Sequence, residues 1–483
     1  VKRLFAVMIL LVLGGCATNP ATKSSDFVLM SEKDELQLGQ RMAAMVEKQM
    51  KLLPDSDPLA IYVNRVGQRV ARTADRKDLF YRFHVVDDGT VNAFALPGGY
   101  IYIHRGLISY LNSEAELAAV LGHEIGHVTA RHAVQRYTQA QGYRIGMTAV
   151  AIFTGVPTAA FNITDLLAAI AIQGYGREQE LQADRLSLRY IARAGYDVHA
   201  TTHLLRTLER LEKLNKKEKT DAGDKVEEYH GAFASHPETK KRIEETIAKE
   251  ASIQNPAHAE IGHAELLNAI NGYPVGDNPE EGAIIGQRFI HPVLGIQLEF
   301  PDNWVLNNTP QALEARMRKK DVYFRLSMKE LQKRRTAEEV LKTLFPERRM
   351  GPVSHITVDG HPAARSLVMV SAPHISKAAV DATVWLDGPK AFIMLMWAKR
   401  DAYEPYLKTF ATIRNSVRNY NKKRDGDVPR IHLYIWKRGD SWQRLAGAED
   451  HVLGRFTADR LAILNGMDAD KTPKPDTLIK IVH

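Results

Sequence analysis

His123, Glu124 and His127 form the pattern H-E-x-x-H inside the segment 114–132, which reads EAELAAVLGHEIGHVTARH. On a helix, positions i and i+4 lie one turn apart on the same face, so both imidazoles can reach a single metal ion. Glu124, beside the first of them, can take a proton from water at that metal. The segment is rich in Ala and Leu and free of Pro, as a helix carrying such a pair must be. The competing reading is two surface histidines with no joint role.

A catalytic zinc takes three protein ligands and leaves the fourth position to water. One known solution places a His ten residues after the first, behind a helix-breaking Gly. Here those two positions hold Ala133 and Ala130. His132 is one residue out of register, and on a continuing helix it faces about 180° away from His123. The alternative is a carboxylate from a later helix. Residues 177–184 read REQELQAD, and Glu180 and Asp184 are again i and i+4 on one face. Glu180 could then be the third ligand, and Asp184 could accept from the distal N–H of a ligating His. Taken alone, this second pair is equally the pattern of a solvated helix face.

Further motifs accompany these residues. They are Asn92-Ala93-Phe94-Ala95-Leu96-Pro97-Gly98-Gly99, then Arg105-Gly106-Leu107, then the Glu114–His127 run, then Arg177-x-x-Glu180-x-x-Ala183-Asp184 with Ala194-Gly195-Tyr196-Asp197. Together they resemble the HtpX and CAAX-prenyl protease-like family of zinc metallopeptidases, in particular its soluble periplasmic, BepA-like branch, over about residues 35–250. The resemblance implies that His123, His127 and Glu180 bind one zinc ion per chain and that Glu124 is the general base. It makes Asp184 a second acid that donates a proton or supports a ligand. The family's usual E-x-E-A-D has Gln182 in place of its middle acid, at a position that is not a ligand. Ser235-His236-Pro237 with Arg242 matches another family element near the metal, where His236 would be a regulatory ligand or a transition-state contact. The strand around Ala93–Ile103 would offer an edge to an extended substrate, reading backbone more than side chains.

The elements that must position these residues follow from periodicity. From about Asp34 to Glu250 apolar residues recur mostly at helical spacing, as in Leu117, Ala118, Leu121 and Ile125. Extended segments at Tyr81–Val86 and Ala93–Ile103 interrupt the helices. Residues 145–173 are the most apolar stretch, but Gly155, Pro157, Asn162 and Asp165 break it short of the roughly 20 residues a membrane span needs. Residues 251–283, with Asn271-Gly272, Pro274 and Asn278-Pro279, read as a linker. Beyond them the period changes to two, at Ile296, Leu298 and Phe300 and at Val322, Phe324, Leu326 and Met328. Asp359-Gly360 and Asp387-Gly388 read as hairpin turns, and Thr336 with Glu339 as a capping box. Residues 284–420 are therefore expected to form an α+β domain, with a loose resemblance to PsbP-like domains. Residues 428–483 resemble a degenerate LysM module, which would imply peptidoglycan contact.

The N-terminus reads as an address. Lys2 and Arg3 precede ten apolar residues, and Leu13-Gly14-Gly15-Cys16 resembles a bacterial lipobox, so residues 1–16 are expected to be a lipoprotein signal peptide with Cys16 as the lipid anchor. Residues 17–33 would be a tether, and the absence of Asp at Ala17 points to an outer-membrane anchor facing the periplasm. Cys16 is the only cysteine, so no internal disulfide can form.

Composition sets the outer limits. The 483 residues are 45% hydrophobic and 25% charged, which excludes a disordered or collagen-like chain. A mean hydropathy of −0.28 excludes a polytopic membrane protein. The net charge of +8 suits an anionic envelope surface and does not call for nucleic acid. The expected architecture is multidomain: a mainly α gluzincin-type metallopeptidase domain (34–250) with a small β-sheet, the α+β domain, and the LysM-like module. The expected activity is zinc-dependent hydrolysis of protein or peptide substrates in the cell envelope. The rival expectation is a latent or non-catalytic client-binding scaffold.

Overall fold

Helix α1 (Glu32–Gln49) starts at Ser31, whose Oγ accepts from the Asp34 amide, with Glu32, Asp34 and Glu35 favourably placed in its first turn. In the computed structural model, which describes residues 16–18, 25–27, 30–141, 163–221, 239–309, 311–345, 349–426, 428–447 and 457–483, α1 opens the helix-rich first unit. Helix α2 (Pro58–Ala71) follows, capped by Asp57 with Pro at its first position. A three-stranded sheet comes next, built from β1 (Arg82–Val86), β2 (Ala93–Leu96) and β3 (Tyr100–His104). Its order is β1-β3-β2, with β1 parallel and β2 antiparallel to the central β3.

Helix α3 (Glu114–Thr129) carries the H-E-x-x-H pattern. Ser113 caps it by accepting from the Glu116 amide at 3.1 Å. All its residues are buried, so no face of it meets solvent and it forms the centre of the unit. Helix α4 (Arg177–Arg193) crosses it, and helices α5 (Ala200–Asp221), α6 (Thr239–Glu250) and α7 (His263–Ile270) complete the layer. The stretch 251–283, expected as a linker, thus contains a helix. Leu266, Leu267 and Ile270 bury one face of it, a spacing that an eight-residue helix between turns displays only once.

The period-two region forms two antiparallel sheets. The strands are β4 (Ala283–Ile285), β5 (Arg288–His291), β6 (Ile296–Glu299), β7 (Trp304–Thr309), β8 (Ala312–Met317), β9 (Val322–Glu330), β10 (Ser354–Val358), β11 (His361–Ala372), β12 (Ile375–Asp387), β13 (Lys390–Lys399) and β14 (Arg418–Asn419). The larger sheet has the order β10-β11-β12-β13-β9-β8-β7 and the smaller one β14-β6-β5-β4. Helix α8 (Ala337–Leu344) begins at the expected capping box, with Thr336 and Glu339 bonded reciprocally. Asp359 and Gly360 both take positive φ between β10 and β11, as a two-residue hairpin requires. Helix α9 (Leu407–Asn415) follows a separate turn, Glu404–Tyr406, that holds Pro405.

The last unit runs β15 (Ile431–Ile435), α10 (Trp442–Gly447), α11 (Ala458–Leu464) and β16 (Leu478–Val482), with the two strands paired antiparallel. It is not an appendage. Ile431, Trp436, Leu461, Ile463 and Ile479 share one hydrophobic core with Leu266, Ile270 and the residues around α3. The Lys480 ammonium, fully buried, donates to the carbonyls of Ser109 and Leu111 at 2.8 and 2.7 Å, just ahead of α3. Among the described residues no helix is long and apolar enough to cross a membrane.

Candidate metal centre

The α3–α4 crossing is made by small residues. A Cβ on Gly122 would meet Ser187 Oγ at 2.8 Å, and one on Gly126 would meet the Ala183 backbone at 3.1 and 3.2 Å. Gly122 and Gly126 directly precede His123 and His127, while Ala183 and Ser187 follow Glu180 and Asp184 by three residues each. The bare crossing therefore lets the two i, i+4 pairs face each other. Ser187 Oγ also donates to the Ala119 carbonyl at 2.8 Å, fixing the helices' relative position.

His123 and His127 point their Nε2 atoms at each other, 3.0 Å apart. Glu180 stands across from both, Oε2 at 3.4 Å from His123 Nε2 and Oε1 at 3.5 Å from His127 Nε2. These are the three residues among the described ones whose ligand atoms all lie within 4.8 Å of one another. With metal–ligand bonds of about 2.0–2.1 Å, a tetrahedral zinc would set its donor atoms about 3.4 Å apart. The donor set of two imidazoles and one carboxylate is the type that leaves a catalytic position open, so the residues fit a zinc ion.

Asp184 Oδ1 lies 2.9 Å from His123 Nδ1, behind the first ligand. The Arg242 guanidinium from α6 donates to both oxygens of Asp184 at 2.7 and 2.8 Å, and its Nη1 lies 3.2 Å from Glu180 Oε2. Burial works to raise the Asp184 carboxyl, but the charge and hydrogen bonds of Arg242, with His123, outweigh it and hold the group down at about 2. Burial likewise opposes a charged His123, yet its bonds to Asp184 and Glu180 push it up to about 9 when no metal competes. Glu124 is buried in the same region and also faces the charge of Arg242. Lys or His at 242 could not serve both acids in this forked way.

Three contacts here had no signal in residue spacing. Tyr175 stacks on the His127 ring, with centroids 4.1 Å apart and planes at 19°. His127 Nδ1 lies 2.8 Å from His132 Nδ1, and His132 Nε2 lies 2.6 Å from Gln182 Oε1. The expectation that His132 faces away from the site is corrected. It assumed a continuing helix, but α3 ends at Thr129 and Arg131 takes φ +56°. That turn is pinned by buried Glu35, which accepts from Arg131 at 2.8 Å and from Arg76 at 2.8 Å.

Strand β2, the expected edge for a substrate, does lie at the sheet edge, but it is buried. The π-helical turn Ala169–Gln173 runs beside it, and Asn92 Nδ2 donates to the Ala171 carbonyl at 2.9 Å. His236, residues 1–15 and 142–162, and the side chain of Cys16 lie outside the described residues.

The arrangement of a helix-borne H-E-x-x-H pair, a facing Glu and a supporting Asp invites comparison with known proteins. Residues 59–250 match the model of Peptidase family M48. Over that segment the chain is similar to M48-type metallopeptidases. The chain is 32% identical over 196 residues to the mitochondrial metalloendopeptidase OMA1 of Schizosaccharomyces pombe, across 40% of this chain and 53% of that protein. It is 34% identical over 166 residues to a putative beta-barrel assembly-enhancing protease of Vibrio cholerae, across 31% of this chain and 34% of that one. The chain therefore spans from about a third to about half of these relatives' length. A solution structure of cyanobacterial PsbP from Synechocystis is 17% identical, over 29% of this chain and 95% of that one, at a TM-score of 0.24, too low to assign a fold.

Proposed function

We propose that the chain is a zinc-dependent endopeptidase of the bacterial cell envelope, acting on misfolded or misassembled envelope proteins. The single observation that carries this reading is the buried triad His123, His127 and Glu180 at zinc-ligand spacing, with Glu124 next to the first ligand. A structural zinc has no need of an adjacent buried carboxylate. Zinc bound by these three side chains would supply Lewis acidity to a scissile carbonyl and to water. Glu124 then takes the proton of the attacking water and returns it to the leaving amine. Asp184 accepts from His123 Nδ1–H, which keeps Nε2 free as a ligand atom. Arg242 holds Asp184 in its charged form and reaches Glu180 as well. No serine or cysteine nucleophile belongs to this set, so no covalent intermediate forms on the chain.

The envelope assignment rests on the lipobox-like Cys16 and on the names of the bacterial relatives. In this reading a lipid on Cys16 holds the chain to the outer membrane on its periplasmic side, and the LysM-like unit contacts peptidoglycan. A second reading, a client-binding protein with a covered site, is favoured by one observation: the π-helical turn beside β2 lies where an extended substrate would pair.

The test is paired. Zinc content and casein cleavage are measured for residues 17–483 of the wild type and of Glu124→Gln. The expected result is one zinc in each and cleavage by the wild type alone. Zinc in both with cleavage by neither would favour the covered-site reading, and zinc in neither would overturn the proposal.

A further inference from the structure

Resting on the reading that His127 is a zinc ligand, we infer that His132 and Gln182 order the proton of that ligand: they hold His127 in the tautomer that leaves Nε2 bare. A neutral imidazole carries one N–H, and a ligating nitrogen must not be the one that bears it. His127 Nε2 faces His123 and Glu180, so the proton of His127 belongs on Nδ1. Nδ1 is 2.8 Å from His132 Nδ1, which must then accept. The proton of His132 is left on Nε2, 2.6 Å from the Gln182 carbonyl oxygen, an atom that only accepts. Donation runs one way along the chain, from His127 to His132 to Gln182, set by the bare Nε2 of His127 at its start and received by the Gln182 carbonyl oxygen at its end.

The backbone is built to deliver this chain. Arg131 must leave the helix with positive φ to bring His132 back onto His127, and its guanidinium is locked on Glu35. Tyr175 covers the His127 ring and also lies against His132, at centroid distances of 4.1 and 5.6 Å. The rings can therefore turn little.

The two ligands are thus backed differently. His123 has an anion behind it, Asp184, neutralised by Arg242. His127 has a neutral relay. Glu124, Glu180 and Asp184 are three buried carboxylates that face Arg242. Gln182 offers His132 an acceptor oxygen without adding a charge of its own.

His132 is a positioning residue, since its two ring nitrogens face His127 and Gln182 and it acts through His127; its test reads metal binding directly. Zinc dissociation constants are measured on the full chain by chelator competition, with thermal unfolding of the chelated proteins as a control on folding. His132→Ala is expected to weaken zinc binding roughly 10–100-fold, the usual cost of losing a partner behind a metal ligand. His132→Asn, whose Oδ1 can still accept from His127 Nδ1–H, is expected to recover most of the loss. Gln182→Leu should fall between the two. An unchanged zinc constant in His132→Ala would overturn the inference, as would an Asn variant no better than Ala. Nitrogen-15 imidazole spectra of the zinc-bound wild type give a readout that needs no variant: the proton must be on Nδ1 of His127 and on Nε2 of His132, and the reverse in His132 would refute the relay. A wild type that binds no zinc would instead bring down the metal reading on which the inference stands.

Discussion

Asp184 shows what a single side chain does in this site. It is buried, accepts from His123 Nδ1, and receives two hydrogen bonds from Arg242. Replacing it by Asn would turn an amide N–H toward a guanidinium that can only donate. Asp184→Asn is therefore expected to weaken zinc binding about tenfold or more, as losses behind a metal ligand do, and to lower the melting temperature of the chelated protein. Equilibrium dialysis and calorimetry read the two effects separately. At this scale His123 with His127 was legible from the i, i+4 spacing of H-E-x-x-H, whereas Glu180 with Asp184, whose spacing alone suits a solvated face equally well, was singled out by the family resemblance. His132 was not. Its place depends on the positive φ of Arg131, and that depends on Glu35, almost a hundred residues earlier in the chain. Tyr175 and Gln182 likewise become part of the site only through tertiary packing.

Helices α3 and α4 show how elements meet. Their crossing runs through Gly122 and Gly126 on one side and Ala183 and Ser187 on the other. The spacing is visible in the sequence, yet glycine in a helix costs about 1 kcal/mol relative to Ala and reads as a weakness until the partner helix is known. The close approach explains why that cost is accepted. Gly126→Val would push branched carbon atoms against the Ala183 backbone and move Glu180 away from the two imidazoles. The variant is expected to stay helical by circular dichroism but to lose most of its zinc affinity. Retention of wild-type affinity would mean that the crossing does not set the ligand spacing. The change of period near residue 284 announced the antiparallel sheets correctly, because alternation is a property of each strand alone. The helix at 263–270 escaped notice for the opposite reason: eight residues between turn signals carry too little periodicity to be separated from a linker.

Across the whole molecule, the C-terminal unit is tied into the core around α3. Lys480 enters that core and donates to the Ser109 and Leu111 carbonyls, and its charge also faces buried Glu116 in the first turn of α3. Burial pushes the Glu116 carboxyl up and the Lys480 ammonium down; the Asn112 amide and the charge of Lys480 work against this at Glu116. Lys480→Met would remove that charge and leave two buried carbonyls without their donor, at a cost of about 1–3 kcal/mol. Urea unfolding should show that loss, and adding Glu116→Gln should restore part of it. If Lys480→Met were neutral, the C-terminal unit would be only loosely docked. The shared core also shapes any test of glycan binding. Deleting residues 428–483 would bare Leu266 and Ile270, so binding to sacculi is better examined with surface substitutions in the full chain. The sequence suggested a separable module because its motifs are local, whereas the docking depends on Lys480 and a few core residues that carry no local signature.

In the proposed function, zinc held by His123, His127 and Glu180 makes this chain a peptidase. The most direct measurement is a zinc titration into chelated protein, following casein cleavage at each addition, for the wild type and for Glu180→Ala. Wild-type cleavage is expected to rise from nothing to a plateau at one zinc per chain, while Glu180→Ala is expected neither to bind tightly nor to cleave. Cleavage that persists without zinc, or that Glu180→Ala retains in full, would contradict the proposal.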